Sequence, residues 1–148
     1  MRSSESMKTL TLHSPTVSFK ASQDQNGPKN WYTFDVSFGT NEYTEVGSQD
    51  AETFIEPLIK TLTNKEGLVL NEQSGFVETV GIDSLYLGMF HITPGYTSFY
   101  FFRKLNYDIH IAMADGGGNL IDHAEVEPSE IMDWLKRLEN FNNYEGEL

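Results

Sequence analysis

Tyr107-Asp-Ile-His-Ile-Ala-Met-Ala-Asp-Gly-Gly-Gly-Asn-Leu-Ile-Asp-His-Ala-Glu-Val126 reads as two strands folded back on one another. Tyr107, Ile109, Ile111 and Met113 alternate with Asp108, His110 and small residues, which is the period of a strand, and Asp115-Gly-Gly-Gly118 has the composition of a hairpin turn. The two segments before it have the same character. Asp83-Ser-Leu-Tyr-Leu-Gly-Met-Phe-His-Ile92 runs to a Pro94-Gly95 turn, and Thr97-Ser-Phe-Tyr-Phe-Phe102 runs to Arg103-Lys-Leu-Asn106. Both are apolar on both faces, which points to central strands covered on two sides or to a face used in association. A chain joined by short turns in this way makes antiparallel sheet.

The same reading extends towards the N-terminus. Met7–His13 and Thr16–Lys20 alternate around Pro15, Ser22–Asn30 is a cluster of turn formers, and Trp31–Phe38 puts Tyr32, Phe34, Val36 and Phe38 on one face. Met1–Ser6 is polar and expected to fray. Leu68–Leu70 and Gly75–Val80 are weaker strand candidates. Two segments change period. Ala51, Phe54, Ile55, Leu58, Ile59 and Leu62 form a helical stripe with Ser48 or Asp50 as cap, although Pro57 inside it predicts a kink or a later start. Ile131, Trp134, Leu135, Leu138 and Phe141 form a second stripe, opened by Pro128 and ended by Asn142-Asn143. The expectation is an α+β fold: a mainly antiparallel sheet of six to eight strands with two amphipathic helices packed on it. With 148 residues and no long linker or internal repeat, residues 1–148 read as a single domain.

Composition narrows the function. Twenty-two acidic against ten basic residues give a net charge of -12, which argues against general nucleic-acid binding, because phosphate attracts clustered Lys and Arg. The absence of cysteine removes disulfides and thiolate chemistry. No signal-peptide-like stretch opens the sequence and no run of eighteen apolar residues occurs, so a cytoplasmic protein without membrane contact is expected.

Few constellations suggest chemistry. With a two- or four-residue loop at the glycines, His110 would lie opposite His123 and Asp108 opposite Glu125, a patch of Asp108, His110, His123 and Glu125 able in principle to hold a metal or do acid-base work in a small hydrolase. Strand alternation by itself produces such a polar face, and no third strand offers a further ligand. His91-Ile-Thr93 has the form of a two-histidine phosphoesterase signature, but its only partner reads His13-Ser-Pro15, without the hydroxyl. No cofactor, metal or catalytic residue is therefore assigned.

Charge is the strongest signal. Trp31–Ile59, Glu66–Phe102 and Leu105–Leu135 contain no Lys or Arg. Such acidity keeps a protein soluble; it also suits capture of a basic protein partner. The expected partner-binding residues are Glu42, Glu45, Asp50, Glu52 and Glu56 near the first helix, and Asp122, Glu125, Glu127, Glu130 and Asp133 near the second. A homodimer through the two-sided apolar strands is compatible with this.

Strands ending in Trp31-Tyr-Thr-Phe-Asp-Val36, a helix reading Ala51-Glu-Thr-Phe-Ile-Glu-Pro-Leu-Ile-Lys-Thr-Leu62, a strand-rich middle and a helix after Val126-Glu-Pro-Ser-Glu-Ile-Met-Asp-Trp-Leu135 together resemble small acidic immunity proteins of bacterial polymorphic-toxin and contact-dependent inhibition systems. The resemblance spans most of the chain and is one of pattern and charge; Pro57 and Met1–Ser6 depart from it. It implies a non-catalytic cytoplasmic antitoxin that blocks a cognate toxin domain, often a basic nuclease. A phage-type inhibitor of a nucleic-acid-handling defence enzyme would share these traits.

Overall fold

A computed structural model describes residues 8–24, 30–68, 84–92 and 97–145. In chain order these form β1 (Thr9–His13), β2 (Val17–Gln23), β3 (Trp31–Phe38), β4 (Asn41–Asp50), α1 (Ala51–Thr63), β5 (Leu85–His91), β6 (Ser98–Arg103), β7 (Ile109–Ala114), β8 (Leu120–Val126) and α2 (Pro128–Glu145). The fold is α+β and antiparallel, and among the described residues eight strands divide into two four-stranded meanders, β1-β2-β3-β4 and β5-β6-β7-β8. No repeat is visible in the sequence, yet the described residues of each half run through four strands and then a helix. The strand candidates at 68–70 and 75–80 fall, from residue 69 onwards, outside the described residues, as does Met1–Ser6.

The alternation of β3 is what builds the core. Tyr32, Phe34, Val36 and Phe38 are buried while Trp31, Thr33, Asp35 and Ser37 are half-buried on the other face. Three elements meet that inner face. Phe54 of α1 stands edge-on to Tyr32 and Phe34, with ring centroids 5.9 and 4.6 Å away. Trp134 of α2 and Phe99 of β6 both meet Phe19 of β2, at 6.0 and 4.9 Å. Edge-to-face pairs of this kind add about 0.5–1.5 kcal/mol each to the burial of the rings. The inner face of the second sheet, with Phe90, Phe99, Phe101, Ile109, Ile111 and Met113, belongs to the same apolar cluster.

Helix α1 does not start late: it begins at Ala51 and runs through Pro57. The Asp50 carboxylate accepts from the Thr53 amide at 3.0 Å and from the Thr53 hydroxyl at 2.7 Å, which fixes the first turn. A proline inside a helix costs about 3 kcal/mol, whereas burying Phe54, Ile55, Leu58 and Leu62 contributes about 1.5–3 kcal/mol each, so packing decides. At the other end, the Arg103 guanidinium donates to the Asn64 and Leu62 carbonyls at 2.6 and 3.2 Å and ties the helix to β6. Asp50→Ala is expected to cost about 1 kcal/mol in a urea titration, with helix α1 retained.

α2 continues to Glu145, past the expected stop at Asn142-Asn143. Asparagine lowers helix propensity by only a fraction of a kcal/mol and does not end a helix without a glycine or proline to follow.

Strand β4 was not foreseen. Asn41–Asp50 lacks apolar alternation and is mostly exposed, because it is an edge strand held by its partner's backbone. Its register with β3 shifts between Phe34 and Val36, where Asp35 faces a bulge and its carboxylate accepts from the Glu45 amide at 2.8 Å. Glu45 itself sits at φ 51°.

Candidate partner-binding surface

The carboxylates expected to meet a partner divide by what the fold asks of them. Asp50 caps α1. Asp122 joins the two sheets: it accepts from Tyr43 Oη at 2.7 Å and Asn41 Nδ2 at 3.0 Å, both on β4, and from the amide of His123 at 2.8 Å. Burial works to raise its pKa, but these hydrogen bonds outweigh it and hold the carboxyl below its ordinary range. The same bond pushes the Tyr43 phenol up. Glu125 lies 3.8 Å from Lys104, and Asp133 pairs with Arg137 one helical turn on at 2.9 Å. Glu130 is half-buried in the first turn of α2.

The others, Glu42, Glu45, Glu52, Glu56 and Glu127, are exposed and form no ion pair among the described residues. They do not share one face. Glu42 sits opposite Ser37 and, with Asp35 and Lys20, borders a shallow depression of about 260 Å³ on the first sheet. Glu52 and Glu56 line a groove of about 1200 Å³ between α1 and β5. Glu127 is at the entry to α2.

That groove was not anticipated. Glu52, Glu56, Pro57 and Lys60 form one wall, Tyr86 and Met89 the other, and Thr61 and Gly88 meet in it. Gly88 has φ 141°, a conformation that residues with a side chain rarely adopt, and a Cβ there would lie 3.2 Å from Thr61 Oγ1, so glycine suits this close approach of helix and strand. Burial, helped by Tyr100, pushes the Tyr86 hydroxyl up to about 12, so it remains a hydrogen-bond donor at any physiological pH. Two elements far apart in sequence build the groove, which is why no motif announced it.

The histidine patch requires a correction. The hairpin loop is Asp115–Asn119, five residues long, because the Asp115 carboxylate turns back to accept from the amides of Gly117 and Asn119, each at 2.9 Å. The loop sets Ala114 opposite Leu120, and a bulge between Met113 and Ala114 shifts the strands by one more residue, so that His110 pairs with Glu125 and Ala112 with His123. Asp108 does not face Glu125; it bonds Asn106 in the preceding turn. The histidines nevertheless meet diagonally, with His110 Nε2 2.9 Å from His123 Nδ1 and the rings stacked at 5.0 Å. His110 is 5% exposed, and its pKa is lowered to about 4 by burial first and then by His123 and Lys104. It is therefore neutral at pH 7, and the 3.4 Å approach of its Nδ1 to Glu125 is no charged bridge; that nitrogen has no hydrogen-bond partner. Among the described residues no group of three or more His, Asp or Glu side chains could hold a metal ion. His91 and His13 each bond a cross-strand serine, Ser98 at 2.9 Å and Ser18 at 2.8 Å, and lie on different sheets.

No family model, curated protein or solved structure gives a significant match to this chain. Among the described residues no helix is long and apolar enough to cross a membrane.

Proposed function

We propose that this chain is a non-catalytic acidic binding protein that neutralises a basic protein partner, acting as an immunity protein that blocks a cognate toxin domain of the nuclease type. The observation that carries the reading is the set of exposed carboxylates, Glu42, Glu45, Glu52, Glu56 and Glu127, which no ion pair among the described residues engages. A net charge of -12 costs a compact fold some self-repulsion, which these groups do not offset through ion pairs among the described residues. Facing Lys and Arg of a partner, they would speed association about 10–10³-fold at low ionic strength. Tyr86 and Met89 beside Glu52 and Glu56 supply apolar surface of the kind that holds a complex once it has formed. A phage-type inhibitor of a nucleic-acid-handling enzyme would use the same surface, and the genes beside this one distinguish the two.

The test is retention of a partner from the source cell on the immobilised protein, at rising salt. A basic protein should bind at low salt and elute as the Debye length shrinks from about 30 Å at 0.01 M to about 3 Å at 1 M. The double variant Glu52→Lys/Glu56→Lys should slow its association at least about tenfold at low salt while the chain stays folded. Unaltered capture by that variant, with no salt dependence, would remove the proposal.

A further inference from the structure

Strand β8 closes one edge of the second sheet and ties it to the first. Asp122 reaches Tyr43 and Asn41 on β4, and the Glu125 carbonyl accepts from the Thr16 hydroxyl. Its own seat is light: most of its side chains are exposed or half-buried, and its register with β7 is broken by a bulge beside Ala114. On its outward face His123 and Glu125 flank the buried ring of His110 on β7.

Donors and acceptors fix the protons of that row. The Glu125 carboxylate lies 3.4 Å from His110 Nδ1, and a bare lone pair there would face its negative charge, so the proton of neutral His110 sits on Nδ1. Nε2 is then an acceptor. His123 must supply the hydrogen of the 2.9 Å contact from its Nδ1, which leaves Nε2 of this exposed residue open to a first added proton. That proton keeps the bond and makes it charge-assisted. A second proton on the imidazoles can go only to His110 Nε2. Two N–H groups would then point at one another across 2.9 Å, between two cations, with Lys104 close by on the far side of Glu125 at 3.8 Å. From β6 the ring meets Phe102 directly opposite and the Tyr100 phenol one pair along, neither of which offers a compensating charge. His110 is enclosed on an inner strand and His123 stands on the edge, so it is His123, and β8 with it, that gives way. Burial, His123 and Lys104 all resist charging of His110, as this arrangement requires.

We propose that Glu125, His110 and His123 form an acid-operated latch: with no proton or one added to the imidazole pair β8 stays on the sheet, and with two it leaves. Asp122 is not the trigger, because its carboxyl is held below its ordinary range and stays ionised while the pair charges. Detachment of β8 carries Asp122 and Glu125 away from Tyr43, Asn41 and Thr16 and uncouples the two sheets along that edge. This device goes beyond the partner-binding reading and does not depend on it.

The experiment follows amide exchange in the full chain from about pH 7 to about pH 4.5, corrected for the intrinsic rate, with imidazole nitrogen chemical shifts read on the same samples. At neutral pH both rings should show the Nδ1–H tautomer. The β8 amides bonded to β7 should exchange ahead of those of β2. Their protection should fall about tenfold per pH unit below the ordinary histidine value of 6.5, the slope for one proton taken up on opening. His110→Gln, which cannot charge, should hold β8 protection level across the range. A His110 proton on Nε2, equal protection of β8 and β2, or a β8 slope that His110→Gln leaves unchanged would each overturn the proposal.

Discussion

Trp134→Ala is expected to remove about 3–5 kcal/mol of folding stability, the largest loss for any single side chain of α2. Trp134 is fully buried, stands edge-on to Phe19 and donates from Nε1 to the His13 carbonyl at 3.0 Å. The substitution therefore opens a cavity, strips an aromatic contact and releases the hydrogen bond that fixes the helix to the end of β1. Domains of this size hold only about 5–15 kcal/mol in total, so the variant should unfold at a much lower urea concentration and populate unfolded chains near body temperature. Met132→Ala, two residues away and 62% exposed, should stay within about 0.5 kcal/mol of the wild type. A Trp134→Ala midpoint within error of the wild type would mean that α2 is not packed on the first sheet as described.

Acid should weaken the fold well above the pH at which carboxylates protonate. His110 has its pKa lowered from the ordinary 6.5 to about 4 in the folded protein. Above pH 6.5 neither state binds the proton and the group is silent. Between 6.5 and about 4 the unfolded chain takes up a proton that the folded chain refuses, so stability falls as pH falls. The full effect of such a shift is on the order of 3 kcal/mol, reached only near the bottom of the window. Glu125, Lys104 and His123 are the charged and titratable groups that face the ring, and Lys104 and His123 both oppose its charging. His110→Gln, which cannot charge, should flatten the decline of melting temperature between pH 6.5 and 4. Asp122 acts lower down: its stabilising bonds to Tyr43 and Asn41 are present above the ordinary 3.8 and are lost as pH falls through its depressed value. A His110→Gln profile parallel to the wild type across the upper window would refute the assignment.

Much of this architecture could be read from side-chain period, because burial imposes that period. Ile109, Ile111 and Met113 are buried as their alternation implied, though Tyr107 of the same series is exposed and the alternate residues His110, Ala112 and Ala114 are buried too, and the stripe from Ala51 to Leu62 faces the core. Where burial does not control the pattern, the reading failed. β4 is an edge strand with wet side chains on most positions, so Asn41–Asp50 carried no periodic signal. The division of eight strands into two sheets depends on which faces meet across the core, such as Phe19 against Phe99, and one-dimensional periodicity does not encode that pairing. The histidine register differs for two local reasons: one carboxylate, Asp115, lengthens the loop by folding onto nearby amides, and a bulge beside Ala114 shifts the pairing by one more residue. His110 and His123 still met because diagonal cross-strand neighbours lie within reach of long side chains. Among the acidic residues, sequence could rank none, since a cap such as Asp50 and an unengaged group such as Glu52 look alike until the fold assigns them work.

The bond from Trp134 to His13 spans 121 positions of the chain. During synthesis the Phe19 surface of the first sheet therefore lacks its Phe99 and Trp134 partners until β6 and α2 have left the ribosome. The two halves, though alike in their order of strands and helix, cannot mature one after the other. A nascent polypeptide of this design depends on quick completion or on a chaperone's shelter, and translational pausing between the halves would be paid for in aggregation.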